Sequence, residues 1–389
     1  MSLPFEGIRI LDLGISTAGP YAARFLADLG ADVIKVEPLD GENARNLGLR
    51  FGGTGYLYHV NNYNKRSVTL AVQTAEGRAM FLDLVKQSDA VIENFAIGTM
   101  DRWGIGYEQC RAVNPSIIYC SAKGFGGNGP LRDKKAFDTV TQAISGIMRL
   151  TGMPDTTPLK GGPSVCDLMT ATAGAFALAA ALQSRKRGES ALVDVSLFDM
   201  GAWSLLPLWP HSGDADGSPL NAIGNDHPTE SPFGSFDCTD GSIFVAVERD
   251  AQWRALAIKI GLPETWSREV RKAQSSRIGG ALREWAAPRS AMAAAVELQA
   301  VAVPASPILD LSKVVDLEIV KHRNLLRNVT HAAYGTIPLI GSPVPRRDGP
   351  GDGIRWPAPE LGADNDAVLG DLIGRSDELP ALRARKVVA

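Results

Sequence analysis

The stretch IRILDLGISTAGPYAARFLADLGADVIKVE, residues 8–37, decides the fold. A short apolar run rich in β-branched residues, Ile8–Gly14, precedes a helical pattern from Pro20 to Leu29 and a second run, Asp32–Glu37. Strand, helix and strand at this spacing make a β-α-β unit, whose two strands lie parallel. Such a start invites a dinucleotide reading, because Glu37 ends the second strand where an acid can bond a ribose hydroxyl. The glycines exclude it. GISTAGP lacks the G-x-G-x-x-G that brings backbone against a pyrophosphate, and Pro20 reads as a first-turn helix residue.

The alternation continues outward. Strands are expected over Ser67–Val72, Ala90–Glu93, Ile117–Ala122 and Ala191–Ser196, with helices from about Thr74 to Gln87, over Met100–Val113 and over Leu197–Leu206. This is the pattern of an α/β fold, a Rossmann-like parallel sheet covered by helices, as a large domain over 1–208. The Gly, Pro, Asp and Ser density of 209–232 marks a linker. A smaller α+β domain over 233–325 is expected to open with a hairpin, Ser235–Val247, turned at Asp240–Gly241. Helices Ala251–Ile260 and Arg277–Gln299 follow. Val303–Ile308 and the tail from about Ile337 read as a return path, so that 326–389 rejoins the large domain.

Composition narrows the function. Forty Lys and Arg stand against 43 Asp and Glu, a formal charge of -3, which argues against the broad basic face of a nucleic-acid protein. Four cysteines show no CxxC pairing and five histidines are scattered, so no metal-ligand spacing is evident and the cysteines read as reduced core thiols. No basic segment precedes an apolar one at the N-terminus, and a cytoplasmic location is the default expectation. The most apolar helix, read as Ala171–Leu182, falls short of the roughly 18 residues of a membrane span. No membrane partner is expected.

One acid stands out. In GGPSVCDLMTATAGAFALAAAL, residues 161–182, Asp167 sits at the start of a small-residue helix. It reads either as a helix cap, accepting backbone N–H bonds at the positive end of the dipole, or as a nucleophilic carboxylate. An ordinary Asp, with a pKa of about 3.9, is ionised at neutral pH in either role.

Taken in order, six blocks make the chain resemble the class III CoA-transferases, which include formyl-CoA transferase, and the related α-methylacyl-CoA racemases. They are residues 11–37, Asn64–Leu70, Val91–Ile105, Lys135–Gly146, the Asp167 stretch and Gly224–Phe236. The resemblance implies an interlocked homodimer, with acyl-CoA and a carboxylic acid as substrates and no tightly bound cofactor or metal. It makes Asp167 the nucleophile that carries CoA as an aspartyl thioester. It places Asn94, Phe95, Arg102, Lys135 and Phe137 at CoA, with Ser16, Thr17, Ala18 and Leu70 lining the pocket. Asp138 takes a supporting electrostatic or positioning role near the nucleophile.

Three departures bear on the branch. Thr17 stands where formyl-CoA transferase has Gln, and that enzyme's run of consecutive glycines is missing, which weakens a formyl/oxalate reading. Phe137 stands where the racemases carry the His that precedes the acid matching Asp138. A phenyl ring carries no proton, so racemisation by 1,1-proton transfer, the alternative, loses one partner. A CoA-binding protein without turnover is the second alternative, and the presence of Asp167 argues against it. Asp250 matches near another racemase acid and equally fits a helix start; His227 reads as structural. Succinyl-CoA is the donor expected by family habit.

Overall fold

The computed structural model describes residues 3–185, 189–206, 208, 220–343 and 353–389. The chain divides into two units: Met1–Met148, Lys160–Pro210 and Lys321–Ala389 form one, Arg149–Leu159 and His211–Val320 the other.

In the first unit, strands β1 (Arg9–Asp12), β2 (Asp32–Glu37), β3 (Lys65–Thr69), β4 (Ala90–Glu93), β5 (Ile118–Lys123) and β6 (Ala191–Ser196) form one parallel sheet in the order 3-2-1-4-5-6. Leu11 of β1 lies opposite Ile34 on one side and Val91 on the other. Helices α1 (Ala18–Asp28), α2 (Ala75–Lys86), α3 (Asp138–Ile144), α4 (Val165–Arg185) and α5 (Leu197–Trp203) belong to the same unit. The strands read as continuous apolar runs because both faces are buried. Leu11, Ile34 and Val91 enter a core with Phe81 and Leu84 of α2, while Ile10, Val33 and Ile92 enter the opposite one with α1 and α4. Strand order reverses between β1 and β4, and the loops leaving their carboxyl ends diverge there. A crevice at that switch point is the usual ligand site of an open α/β sheet.

The second unit holds a three-stranded antiparallel sheet of β7 (Phe233–Cys238), β8 (Gly241–Ala246) and β9 (Ala305–Ile308), in the order 9-8-7. Its core joins these strands to α6 (Asp250–Ile260), α7 (Ser275–Ala286) and α8 (Ala291–Gln299) through Trp253, Leu256, Leu282 and Leu298.

Several expectations are corrected. The helix expected over Met100–Val113 is two, Thr99–Arg102 and Tyr107–Val113, because Gly104 turns to φ +72 between them. The helix expected over Arg277–Gln299 is α7 and α8: Pro288 lacks an N–H, and Ser290 restarts the helix by accepting from the Ala293 amide. Ala305–Ile308 is no return path but an edge strand, with Ala305 opposite Val245. α4 runs 21 residues, and Val165–Ser184 is apolar and long enough by length and composition to cross a membrane. It serves instead as a core helix, burying Ala171, Ala175, Leu178 and Leu182 against the sheet. Of the expected linker, 209–219 lies outside the described residues, and the passage of Arg149–Leu159 into the second unit has no sequence signal. Cys110, Cys120 and Cys166 are buried free thiols, whereas Cys238 is only half-buried. Burial pushes the Cys110 and Cys120 thiols up to about 12, which leaves them inert.

Candidate active site

The loop from β1 to α1 is held residue by residue. Asp12 Oδ1 accepts the Gly14 N–H at 2.8 Å, and the Asn94 carboxamide exchanges two bonds with Ile15, accepting at 2.7 Å and donating at 2.8 Å. Glu42 Oε2 accepts the Ser16 N–H at 2.9 Å, and Asn61 Nδ2 donates to the Ser16 carbonyl at 2.6 Å. Beneath the loop lies a buried cluster of three acids, Asp12, Glu37 and Glu42, and three bases, Lys35, Lys65 and Arg45. Lys65 pairs with Asp12 at 2.7 Å, Lys35 with Glu42 at 3.2 Å and Arg45 with Glu37 at 2.7 Å. Charges persist at this depth only when paired. Burial works against ionised Asp12, yet Lys35 and Lys65 outweigh it and hold the carboxyl below its ordinary value.

Asp167 is the third residue of α4. The expected cap comes from elsewhere: Asp138, in the first turn of α3, accepts the Cys166 N–H at 2.8 Å and the Asp167 N–H at 3.2 Å through Oδ1. Its Oδ2 accepts from Gln142 Nε2 at 2.5 Å, and Gln142 Oε1 accepts the Gly161 N–H at 2.9 Å. The start of α4 is thus fastened by another helix. The Asp167 carboxylate makes no hydrogen bond among the described residues and is left for chemistry. Burial first, and the Asp138 charge second, raise its carboxyl from 3.8 to about 6. That is well above the ordinary Asp expected from the sequence, but still mostly ionised at pH 7.

Two cavities share Ile15 at this crevice. One, of about 130 Å³, is lined by Ser16, Thr17, Ala18, Asn94, Lys123, Phe137 and Asp167. The other, of about 320 Å³, is lined by Leu70, Val72, Phe95, Trp103, Glu37 and Glu42. α1 starts at Ala18 without a side-chain cap, so its first amides are not spent on one. The arrangement joins an ionised carboxylate and a helix N-terminus at a small chamber to a larger, mainly apolar one. It suits a charged acyl centre beside an extended, partly aromatic group.

The expected residues therefore divide. Ser16, Thr17, Ala18, Asn94, Phe137 and Asp167 meet in the small cavity; Leu70 and Phe95 line the large one, where Phe95 packs edge-on against Trp103 at 5.1 Å. Asn94 spends its carboxamide on Ile15, which makes it a wall brace. Arg102 and Lys135 line neither cavity and are exposed, Arg102 donating to Thr99 Oγ1 at 3.0 Å. Asp138 sits behind Asp167 as a cap. Asp250 is an exposed helix start, paired with the buried Arg271 at 2.8 Å. His227 Nδ1 accepts the Thr229 and Glu230 N–H groups, closing a turn. Sequence reasoning missed Glu42, Trp103 and Lys123. Lys123 Nζ donates to both Glu93 carboxylate oxygens, at 2.6 and 2.7 Å, and to the Phe95 carbonyl at 2.6 Å. A cation ending the apolar run IIYCSA was its only signal.

A sequence model described as CoA-transferase family III matches residues 5–365. The succinyl-CoA–D-citramalate CoA-transferase of Chloroflexus aurantiacus is 32% identical over 396 residues, covering 99% of this chain and 98% of that protein. The acetyl-CoA:oxalate CoA-transferase of Acetobacter aceti is 35% identical over 350 residues, covering 88% of each. Among solved structures, a CaiB/BaiF family protein from Brucella suis superposes with a TM-score of 0.85 at 31% identity, covering 96% of this chain and 100% of that one. Matched in sequence and in fold over nearly its whole length, the chain belongs to CoA-transferase family III.

Proposed function

We propose that the enzyme moves CoA from succinyl-CoA to a second small carboxylic acid through a thioester on Asp167. The Asp167 carboxylate attacks the thioester carbonyl and expels CoA thiolate, leaving a mixed anhydride. The thiolate attacks the aspartyl carbonyl and expels succinate, so CoA is held on Asp167. The acceptor carboxylate attacks that thioester, again freeing thiolate, and the thiolate then takes the acceptor's acyl group and restores Asp167. Every step exchanges one carboxylate or thiolate for another, so no electron acceptor enters the balance. Thr17 and Ala18, at the start of α1, line the same chamber, and a helix N-terminus there suits the oxyanion that forms at each attack.

The observation that carries this reading is the carboxylate of Asp167, which opens on the small cavity with no hydrogen bond among the described residues. The C. aurantiacus relative, and the succinate–glutarate CoA-transferase of Agrobacterium fabrum at 33% identity over 390 residues, support the donor. Borohydride added during turnover of succinyl-CoA should leave a homoserine at position 167, found by peptide mass spectrometry. Transfer that proceeds while residue 167 stays unmodified would exclude the aspartyl thioester.

A homodimer belongs to the same proposal. Val140 and Ile144 of α3, Leu168 and Phe176 of α4, and Trp203 of α5 are all exposed, Phe176 at 76%. So much uncovered apolar surface on adjoining helices calls for a partner surface, which a second copy supplies. Sedimentation of the purified chain as a monomer would refute it.

A further inference from the structure

We propose that Glu42 is a positioning residue for CoA transfer, holding Ser16 in a left-handed conformation so that Thr17 and Ala18 face Asp167. The inference rests on the role given to Asp167 above. Ser16 has φ +60, a region that side chains other than glycine enter only when something holds them there. Both of its backbone groups are bonded by side chains, the N–H by Glu42 at 2.9 Å and the carbonyl by Asn61 at 2.6 Å. The two residues that follow, Thr17 and Ala18, line the cavity of Asp167, and the direction of their amides depends on the turn at Ser16. Unusual backbone held by surrounding bonds is what a site uses to fix its geometry in advance.

Glu42 is built to hold rather than to bind. It is 2% exposed. Its Oε1 accepts from Asn62 Nδ2 at 3.1 Å and lies 3.2 Å from Lys35 Nζ, while Oε2 takes the Ser16 amide. Both oxygens are engaged by the protein, and Oε2 is the one that holds Ser16. It also forms part of the wall of the large cavity, so one side chain supports both chambers.

Three measurements test this, with succinyl-CoA as the probe. The first is the single-turnover rate of thioester formation on Asp167. The others are the Kd for CoA and hydrogen exchange of the peptide spanning residues 13–19. Glu42→Ala should slow thioester formation by about tenfold or more, as misplacement near reacting atoms does, while CoA Kd changes by less than about threefold. Exchange in the 13–19 peptide should quicken. Glu42→Gln keeps an oxygen for the Ser16 N–H but turns an NH2 toward the donors Asn62 Nδ2 and Lys35 Nζ, so its rate should fall between those of the native enzyme and Glu42→Ala. Because glycine adopts positive φ freely, Glu42→Ala should cost less in a Ser16→Gly background than in the native one.

An equal cost in both backgrounds, or weakened CoA binding with an unchanged rate, would overturn the proposal. Should Glu42→Ala fail to fold, Glu42→Asp withdraws the carboxylate from Ser16 while keeping its charge, and the same outcomes apply. If the native enzyme forms no adduct at Asp167, the reading of the nucleophile fails. Exchange at residues 13–19 unaltered by Glu42→Ala or Glu42→Asp would overturn the role of Glu42 separately.

Discussion

Asp138 both fastens Asp167 and perturbs it. Its Oδ1 accepts the Asp167 N–H at 3.2 Å, and its charge is the second cause, after burial, of the raised Asp167 carboxyl. The pair separates two tasks that the sequence assigned to one residue: Asp138 caps α4, which leaves the Asp167 side chain unspent.

Replacing Asp138 by Asn keeps an oxygen for the α4 amides and removes the charge. The native rate of thioester formation should rise with pH through about 6, as Asp167 ionises. In Asp138→Asn that limb should move to lower pH, because a neutral neighbour no longer disfavours the second carboxylate. Asp138→Ala should also lose about 0.5–2 kcal/mol of stability with the cap. A limb that stays in place in Asp138→Asn would remove Asp138 from the electrostatics of the site.

Asp167→Asn should abolish transfer and stabilise the ligand-free protein. The carboxyl rises from 3.8 to about 6 on folding, so the folded state binds its proton more tightly than the unfolded one. Stability held below pH 3.8 is lost as pH rises through 6, by about 3 kcal/mol in all, and an amide avoids that loss. Melting of the variant should therefore exceed the native value at pH 8 and converge with it near pH 4. Equal melting temperatures at pH 8 would show that Asp167 carries no such strain.

Local rules made much of this legible. The β-α-β opening and the period of the strands led to the parallel sheet, and the DG turn to the β7–β8 hairpin. What stayed hidden were relations between distant residues. Nothing near Glu42 says that it will bond Ser16, 26 positions away, and nothing near Asp138 says that it caps a helix 28 positions later. Helix breaks at Gly104 and Pro288 were readable but were overridden by the apolar period around them. Asn94 was legible as a site residue and lines the small cavity, but only the fold shows its carboxamide bonded to Ile15.

Arg102→Ala tests the CoA end. Arg102 is exposed, next in sequence to Trp103 of the large cavity, and donates to Thr99 Oγ1 at 3.0 Å, which leaves the rest of its guanidinium available to a phosphate. Loss of a charge-assisted bond should raise the Kd for CoA by about tenfold or more. The KM for the acceptor acid, which carries no phosphate, should change little. Parallel loss for both substrates would mark Arg102 as structural.

The last prediction concerns Phe137 and separates transfer from racemisation. A racemase removes the α-proton of a 2-methylacyl-CoA from one face and returns one to the other, which needs two proton carriers. Asp167 opens on the small cavity and can serve as one; beside it in the lining stands Phe137, 77% exposed, with no proton to exchange. Asp138, the next residue, is occupied by the α4 amides and Gln142. In D₂O without an acceptor acid, the native enzyme should therefore leave the α-carbon of a 2-methylacyl-CoA unlabelled. Phe137→His places a titratable ring on that wall, and any exchange it introduces should require Asp167 as well, vanishing in the double variant with Asp167→Asn. Rapid labelling by the native enzyme would mean that a proton carrier other than position 137 faces the substrate, and that the chemistry at Asp167 is acid–base rather than nucleophilic.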